Sequence, residues 1–460
     1  MVEEVSPHRF VDADIVLASL TGTEGWLVGI GGGDQRHHMT SSDMLQHSEL
    51  YPSFPLSQPD YTNLPVGPDV QRQTVALGLH LFEYQGAAIA ILQRKADPQY
   101  GRGSAVLEVV CADRSATRDF LAEFRRRVQK ESILQGQILS FTIEEFGPSA
   151  AGVTFLRRPH PTEDNIILPE GLLDRVSEHA LGIAAHRDAL VAAGQHLKRG
   201  ILLYGPPGTG KTHTVRYLLS ASEGTTATLL SGGTLAHVSE AARMARILQP
   251  SIVVLEDCDL IAEDRSFGHT PQPLLFEVFD EMDGLDDDAH VTFVLTTNRV
   301  DMLERALAKP PGRVDLAVEI PLRSERERAG LLRLYAPEGT FSCDAIVSAA
   351  EETEGTTASF TKELVRRAVL TAAAAGVPVG DGHLQHAVTE LMSDGATLTR
   401  SLLGSNGQPP GSGPESGGHG SFGYFPEVDH YSGSYMSPYL STTQAPFDSP
   451  PPDPADEDRT

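Results

Sequence analysis

Residues 200–219, GILLYGPPGTGKTHTVRYLL, constrain this chain more than any other stretch. Residues 201–204 read as a buried strand, and GPPGTGKT (205–212) satisfies the spacing G-x-x-x-x-G-K-[ST]. Glycines let successive backbone N–H groups curl around a phosphate, and the helix that follows aims its positive end at the same point. In such a loop Lys211 serves the β- and γ-phosphates and Thr212 offers its hydroxyl to Mg²⁺. The motif works only between a strand and a helix, and residues 201–322 continue that alternation. A parallel α/β sheet is therefore expected there.

Three further segments follow the loop in order. SIVVLEDCDL (251–260) is an apolar strand that runs into acids. VLTTNRVDMLERAL (294–307) and PPGRVDLAVEIPL (310–322) come after it. Together with GPPGTGKT, these resemble the AAA family of ATPases, within the AAA+ class, over roughly residues 165–400. The resemblance implies a P-loop α/β domain with a helical lid, ATP and Mg²⁺ as ligands, and a ring, usually hexameric. It also implies that ATP binds between neighbouring subunits and that hydrolysis remodels a macromolecule.

On the resemblance, Gly205, Pro206, Pro207, Gly208, Thr209, Gly210, Lys211 and Thr212 hold the phosphates. His213 is counted with them by position, without an assigned chemistry. Asn298 in LTTN (295–298) matches a sensor strand that orients the attacking water, and EVFDEMDGL (277–285) resembles the segment before it. In the lid stretch 350–368, Gly355, Ala358 and Ser359 approach the adenosine. Leu181 and Gly182, within HALGIAAHRDAL (179–190), are the expected adenine contacts.

The chain departs from the family at three places. The family orders its acids Asp then Glu, whereas here Glu256 precedes Asp257. The register of residues 252–255 puts Glu256 at the metal position and Asp257 at the base position. Exchanging the two side chains displaces each carboxylate by about one C–C bond, roughly 1.5 Å, and misplacement on that scale costs on the order of a hundredfold in rate. A second register, using Asp257 for the metal and Asp259 for the base, needs the strand to continue so that i and i+2 share a face; the first is preferred. In KPPGRVDL (309–316), Arg313 matches the second of the family's paired arginines, Lys309 stands near the first, and Leu316 replaces a third. Arg313 is then expected to be the finger that reaches a neighbouring subunit's site, in preference to a structural salt bridge. Finally, residues 231–250 contain no aromatic side chain where threading relatives carry one; Leu235, His237 and Val238 read as a helix start.

Composition divides the rest. Residues 1–70 show weak periodicity and read as a poorly defined segment. Residues 71–150 read as a small α+β domain: strands at 74–84, 86–95 and 104–112, then a helix at 115–132 burying Phe120, Leu121, Phe124 and Val128, closed by 136–146. The ATPase unit spans 160–322 and a helical lid 323–402, in which Phe360, Leu364, Ala368 and Val369 share a face and Ser359 or Thr361 caps. The Gly/Ser/Pro/Tyr-rich stretch 403–460 is expected to be disordered. A formal net charge of −26 argues against phosphate-backbone binding, and the arginines of EFRRR (123–127, from Glu123) read as a solvated face. Neither a signal peptide nor a spanning helix is legible, and three widely spaced cysteines fit a reducing, cytoplasmic setting. Two functions follow: an ATPase that assembles with copies of itself to remodel a protein client, or an ATP-dependent oligomeric scaffold that hydrolyses little.

Overall fold

The computed structural model describes residues 1–50, 53–141, 152–258, 281, 289–299, 314–393 and 397–404. Everything below concerns those residues. The tail 405–460 and the segments holding Lys309, Arg313, Asp259 and residues 282–288 lie outside them.

The N-terminal part is built on an antiparallel sheet. Its strands are β1 (Val2–Val5), β2 (Trp26–Ile30), β3 (Leu56–Ser57), β4 (Asp60–Gly67), β5 (Val70–Tyr84), β6 (Ala87–Arg94) and β7 (Ala105–Cys111). They lie in the order β1-β7-β6-β5-β2-β3, with β4 also on β5. The hairpin β5–β6 turns on Gln85 and Gly86, both at positive φ, and pairs Tyr84 with Ala87. Two consecutive residues at positive φ match the twist of the strands they join.

Helices α1 (Phe10–Thr21), α2 (Gln35–His38), α3 (Ser41–Leu50) and α4 (Arg114–Lys130) complete this part. Phe120, Leu121, Phe124 and Val128 of α4 are buried with Phe10, Val16 and Leu17 of α1 against the sheet. The segment 1–70, expected to be poorly defined, thus supplies a core helix and β1 to β4. Its hydrophobic period is hard to read because Asp12 and Asp14 are themselves buried in α1. The arginines of α4 are ion-paired: Arg126 with Glu123 and Arg127 with Glu131, at 2.7 and 2.9 Å, and Arg125 with Glu3.

A second sheet is mainly parallel. It comprises β8 (Ile138–Phe141), β9 (Val153–Leu156), β10 (Arg199–Tyr204), β11 (Thr226–Ser231), β12 (Ser251–Glu256), β13 (Val291–Thr297) and β14 (Leu316–Glu319), in the order β14-β10-β13-β12-β11-β8-β9. Among these strands only β9 runs antiparallel, on β8. The stretch 136–146 was expected to close the N-terminal domain; instead β8 pairs in parallel with β11, Ile138 opposite Ala227. Ile138 packs into the core on one face of this sheet, and Leu139 and Phe141 into the core on the other. A strand buried on both faces belongs inside a parallel sheet, but its local pattern does not name its neighbour.

Helices α5 (Leu172–Ala192), α6 (Lys211–Ala221) and α7 (Val238–Ile247) accompany the sheet. Leu235 and Val238 are buried in its core, so neither is free to grip a substrate. His237 sits against Phe141, ring centroids 5.5 Å apart.

The lid is all-helical: α8 (Glu325–Tyr335), α9 (Cys343–Glu352), α10 (Ala358–Ala375), α11 (Asp381–Met392) and α12 (Thr397–Leu402). Phe360, Leu364 and Ala368 are buried, but Val369 is 37 % exposed; Val365 takes the inward place expected of it. The cap of α10 is Thr357, whose hydroxyl accepts from the Phe360 N–H at 3.2 Å, rather than Ser359 or Thr361. No described helix is long and apolar enough to cross a membrane.

Candidate nucleotide site

A cavity of about 440 Å³ opens where β10 passes into α6. Pro207, Gly208, Gly210, Lys211, Thr212 and His213 line one side. Gly205 has φ +144°, and a Cβ there would run into the carbonyl of Ile320. Gly208 has φ +77°, and its Cβ would lie 3.0 Å from the oxygens of Leu403, Ser359 and Thr357. Both positions exclude a side chain by backbone conformation and by space. Lys211, at the start of α6, turns its ammonium onto the loop, donating to the carbonyls of Gly205 and Pro206 at 2.8 and 2.9 Å. Thr209 is fully buried and braces the turn, its hydroxyl donating to Pro206 at 2.9 Å.

The acids follow from strand register. Ile252 and Val254 face the core that holds Val215, Leu218 and Leu219 of α6, while Val253 and Leu255 face the other. Alternation therefore turns Glu256 toward α6 and its Thr212. Burial, and then the neighbouring Asp257, push the Glu256 carboxyl above its ordinary range, against the pull of Thr212 and Arg216. β12 ends there, and Asp257 adopts φ +53°. Its N–H donates to the Thr296 hydroxyl at 3.0 Å, and Asn298 Nδ2 donates to its Oδ1 at 3.2 Å. Asp257 and Asn298 both face the cavity. The strand that the second register needs beyond Glu256 is not continued at Asp257, and Asp259 lies outside the described residues.

A match to a family model then decides what this arrangement is. Residues 201–322 match the model described as "ATPase family associated with various cellular activities (AAA)". The chain carries an AAA-family ATPase domain.

Its relatives agree. The chain is 30% identical to the 26S proteasome regulatory subunit 10B homolog A of Arabidopsis thaliana over 258 residues, 50% of this chain and 64% of that one. Against the proteasome-activating nucleotidase of Methanoculleus marisnigri, identity is 32% over 200 residues, covering 40% and 48%. With the 26S proteasome regulatory subunit 6B homolog of Saccharomyces cerevisiae it is 37% over 145 residues, covering 28% and 33%. The chain thus spans less than two thirds of each of these relatives.

Away from the loop, the cavity is lined by other residues than those expected at the adenine. Leu181 and Gly182 lie on α5 and do not line the cavity; Leu181 packs against the sheet core. The segment Asn165, Ile166, Ile167 and Leu168 lines it instead, opposite Leu331, Tyr335, Ala358 and Ser359 of the lid. The apolar run NIIL directly before Pro169 was the available signal. Arg216, Arg323 and Lys362 also line the cavity and were not anticipated. Burial, then Arg216 and Lys362, hold the His213 imidazole below its ordinary range. Arg313 and Lys309 lie outside the described residues, and Leu316 is a half-buried residue of β14.

Proposed function

We propose that this protein binds ATP and Mg²⁺ in the cavity, hydrolyses the ATP in a ring of like subunits, and uses the cycle to remodel a protein client in the cytoplasm. The carrying observation is the separation of the two acids: strand alternation turns Glu256 toward α6 and Thr212, while Asp257 accepts from Asn298 and lines the cavity. The loop glycines leave room for phosphate, Lys211 supplies the cation, and Thr212 with Glu256 offers the hard oxygen pair that Mg²⁺ prefers. When bound, Mg²⁺ would neutralise charge on the β- and γ-phosphates.

The chain's own residues divide the remaining work. Lys211 leaves the Gly205 and Pro206 carbonyls for the polyphosphate. Asp257 accepts a proton from the attacking water, and Asn298 holds the Asp257 carboxylate and that water in line. Ile167, Leu168, Leu331 and Tyr335 give the adenosine an apolar seat. Arg313 of a neighbouring copy neutralises the transferring phosphoryl group. The relatives named for the proteasome support the ring and the protein client. The reversed order of Glu256 and Asp257 supports a second reading, an ATP-dependent scaffold with little turnover.

Steady-state ATP hydrolysis across protein concentration separates them. Turnover per subunit that rises with assembly and disappears in Lys211→Ala and in Arg313→Ala is expected. Turnover independent of concentration and of Arg313 overturns the shared site, and tight ATP binding without turnover selects the scaffold.

A further inference from the structure

Arg323 is the least expected group in the cavity. It sits between β14 and α8, at the corner where the α/β sheet passes into the lid, and is 4 % exposed. Nη2 donates to the carbonyl of Thr209 in the phosphate loop, and Nη1 to the carbonyl of Pro321 at 3.2 Å. Its Nε has no hydrogen-bond partner among the described residues, and the carboxylate that acts on it, Glu327, does so without forming an ion pair. Its own carbonyl accepts from Arg328 Nη1 at 2.6 Å, and Arg328 Nε reaches Ala350 of α9 at 2.8 Å. Two arginines in series, Arg323 on the loop and Arg328 on the Arg323 carbonyl and Ala350, therefore join the phosphate loop to the lid.

A buried cation outside an ion pair is costly unless something anionic answers it. Here the Thr209 carbonyl answers in part, and that bond has a consequence for the same peptide unit. Thr209 C=O and Gly210 N–H belong to one planar trans amide and point to opposite sides. A charged donor on the carbonyl polarises the amide and strengthens its N–H as a donor. Gly210 lines the cavity, and Arg323 Nη2 lies only 3.2 Å from where a Gly210 Cβ would stand.

We propose that Arg323 is a positioning residue for the polyphosphate: it fixes and polarises the Thr209–Gly210 peptide and ties the phosphate loop to the first turn of the lid. It acts through the loop, so its effect falls on nucleotides with a β-phosphate and leaves the adenosine end untouched. This rests on the nucleotide reading above.

The test is equilibrium binding of ADP and of adenosine to the full-length protein and to Arg323→Gln, Arg323→Lys and Lys211→Ala. Arg323→Gln should bind ADP about tenfold more weakly, as expected for losing a charge-assisted hydrogen bond, with adenosine affinity held within about twofold. Arg323→Lys, which keeps the charge and one donor, should recover most of the ADP affinity. Unchanged ADP affinity in Arg323→Gln overturns the proposal. So does a parallel loss of ADP and adenosine in both Arg323 variants, which marks a packing role at the corner. Wild-type protein that fails to bind ADP, or binds it as well with Lys211→Ala, overturns the nucleotide reading itself.

Discussion

At the scale of single residues, the site depends on backbone conformations that few side chains tolerate. Asp257 at φ +53° ends the strand and turns its carboxylate to Asn298; Asp and Asn are among the non-glycine residues that visit this region most readily. Gly208 is more restrictive, at φ +77° with three oxygens 3.0 Å from a Cβ. Gly208→Ala should weaken ADP binding on the order of tenfold, because left-handed backbone costs an L-residue roughly 1–2 kcal/mol. Calorimetric titration checks it, and unchanged affinity would show that the loop relaxes freely. The loop side of the cavity was legible because one contiguous motif encodes strand, loop and helix. The opposite side was not: Ile167, Leu331 and Ala358 come together from three distant segments, and no local spacing brings Leu181 to them.

At the scale of elements, helix starts show where sequence signals are ambiguous. TTASFT offers four hydroxyls (356, 357, 359 and 361), and Thr357 caps α10 because its hydroxyl also donates to the Leu403 carbonyl at 2.6 Å. That second bond is tertiary and cannot be read from the helix pattern. Strand β8 shows the same limit, since burial on both faces is local but its partner β11 lies about ninety residues away. By contrast, Ser324 and Glu327 form a reciprocal capping box on α8 that is plain in SERE. Ser324→Ala should lower the stability of the folded chain by about 1 kcal/mol, read by chemical denaturation. A loss near zero would mean that the burial of Leu331 and Leu332 alone holds the first turn of α8 in place.

For the molecule as a whole, the N-terminal sheet and the AAA domain share their connecting segment. Asp12 of α1 is 1 % exposed and accepts from the Ser132 hydroxyl at 2.5 Å and the Ile133 N–H at 2.9 Å, at the start of the passage into β8. Burial raises its carboxyl above the ordinary aspartate value despite these bonds and Arg9. The folded chain then holds this proton where the unfolded chain has released it. Stability falls as pH rises from the ordinary aspartate range through the raised value. The difference in unfolding free energy between wild type and Asp12→Asn should shrink in wild type's disfavour across that window and be level above it. A difference independent of pH would contradict the assignment.

Asp257 decides between a working ATPase and a scaffold, because the reversed acids leave it at the base position. Asp257→Asn keeps the backbone preference and the shape while removing the base. The most direct measurement is its turnover at saturating ATP beside that of wild type, with ATP affinity measured on the same samples. Turnover lower by about a hundredfold or more, in the range of a lost general base, with affinity retained, is the predicted result. Wild-type turnover in Asp257→Asn would contradict it.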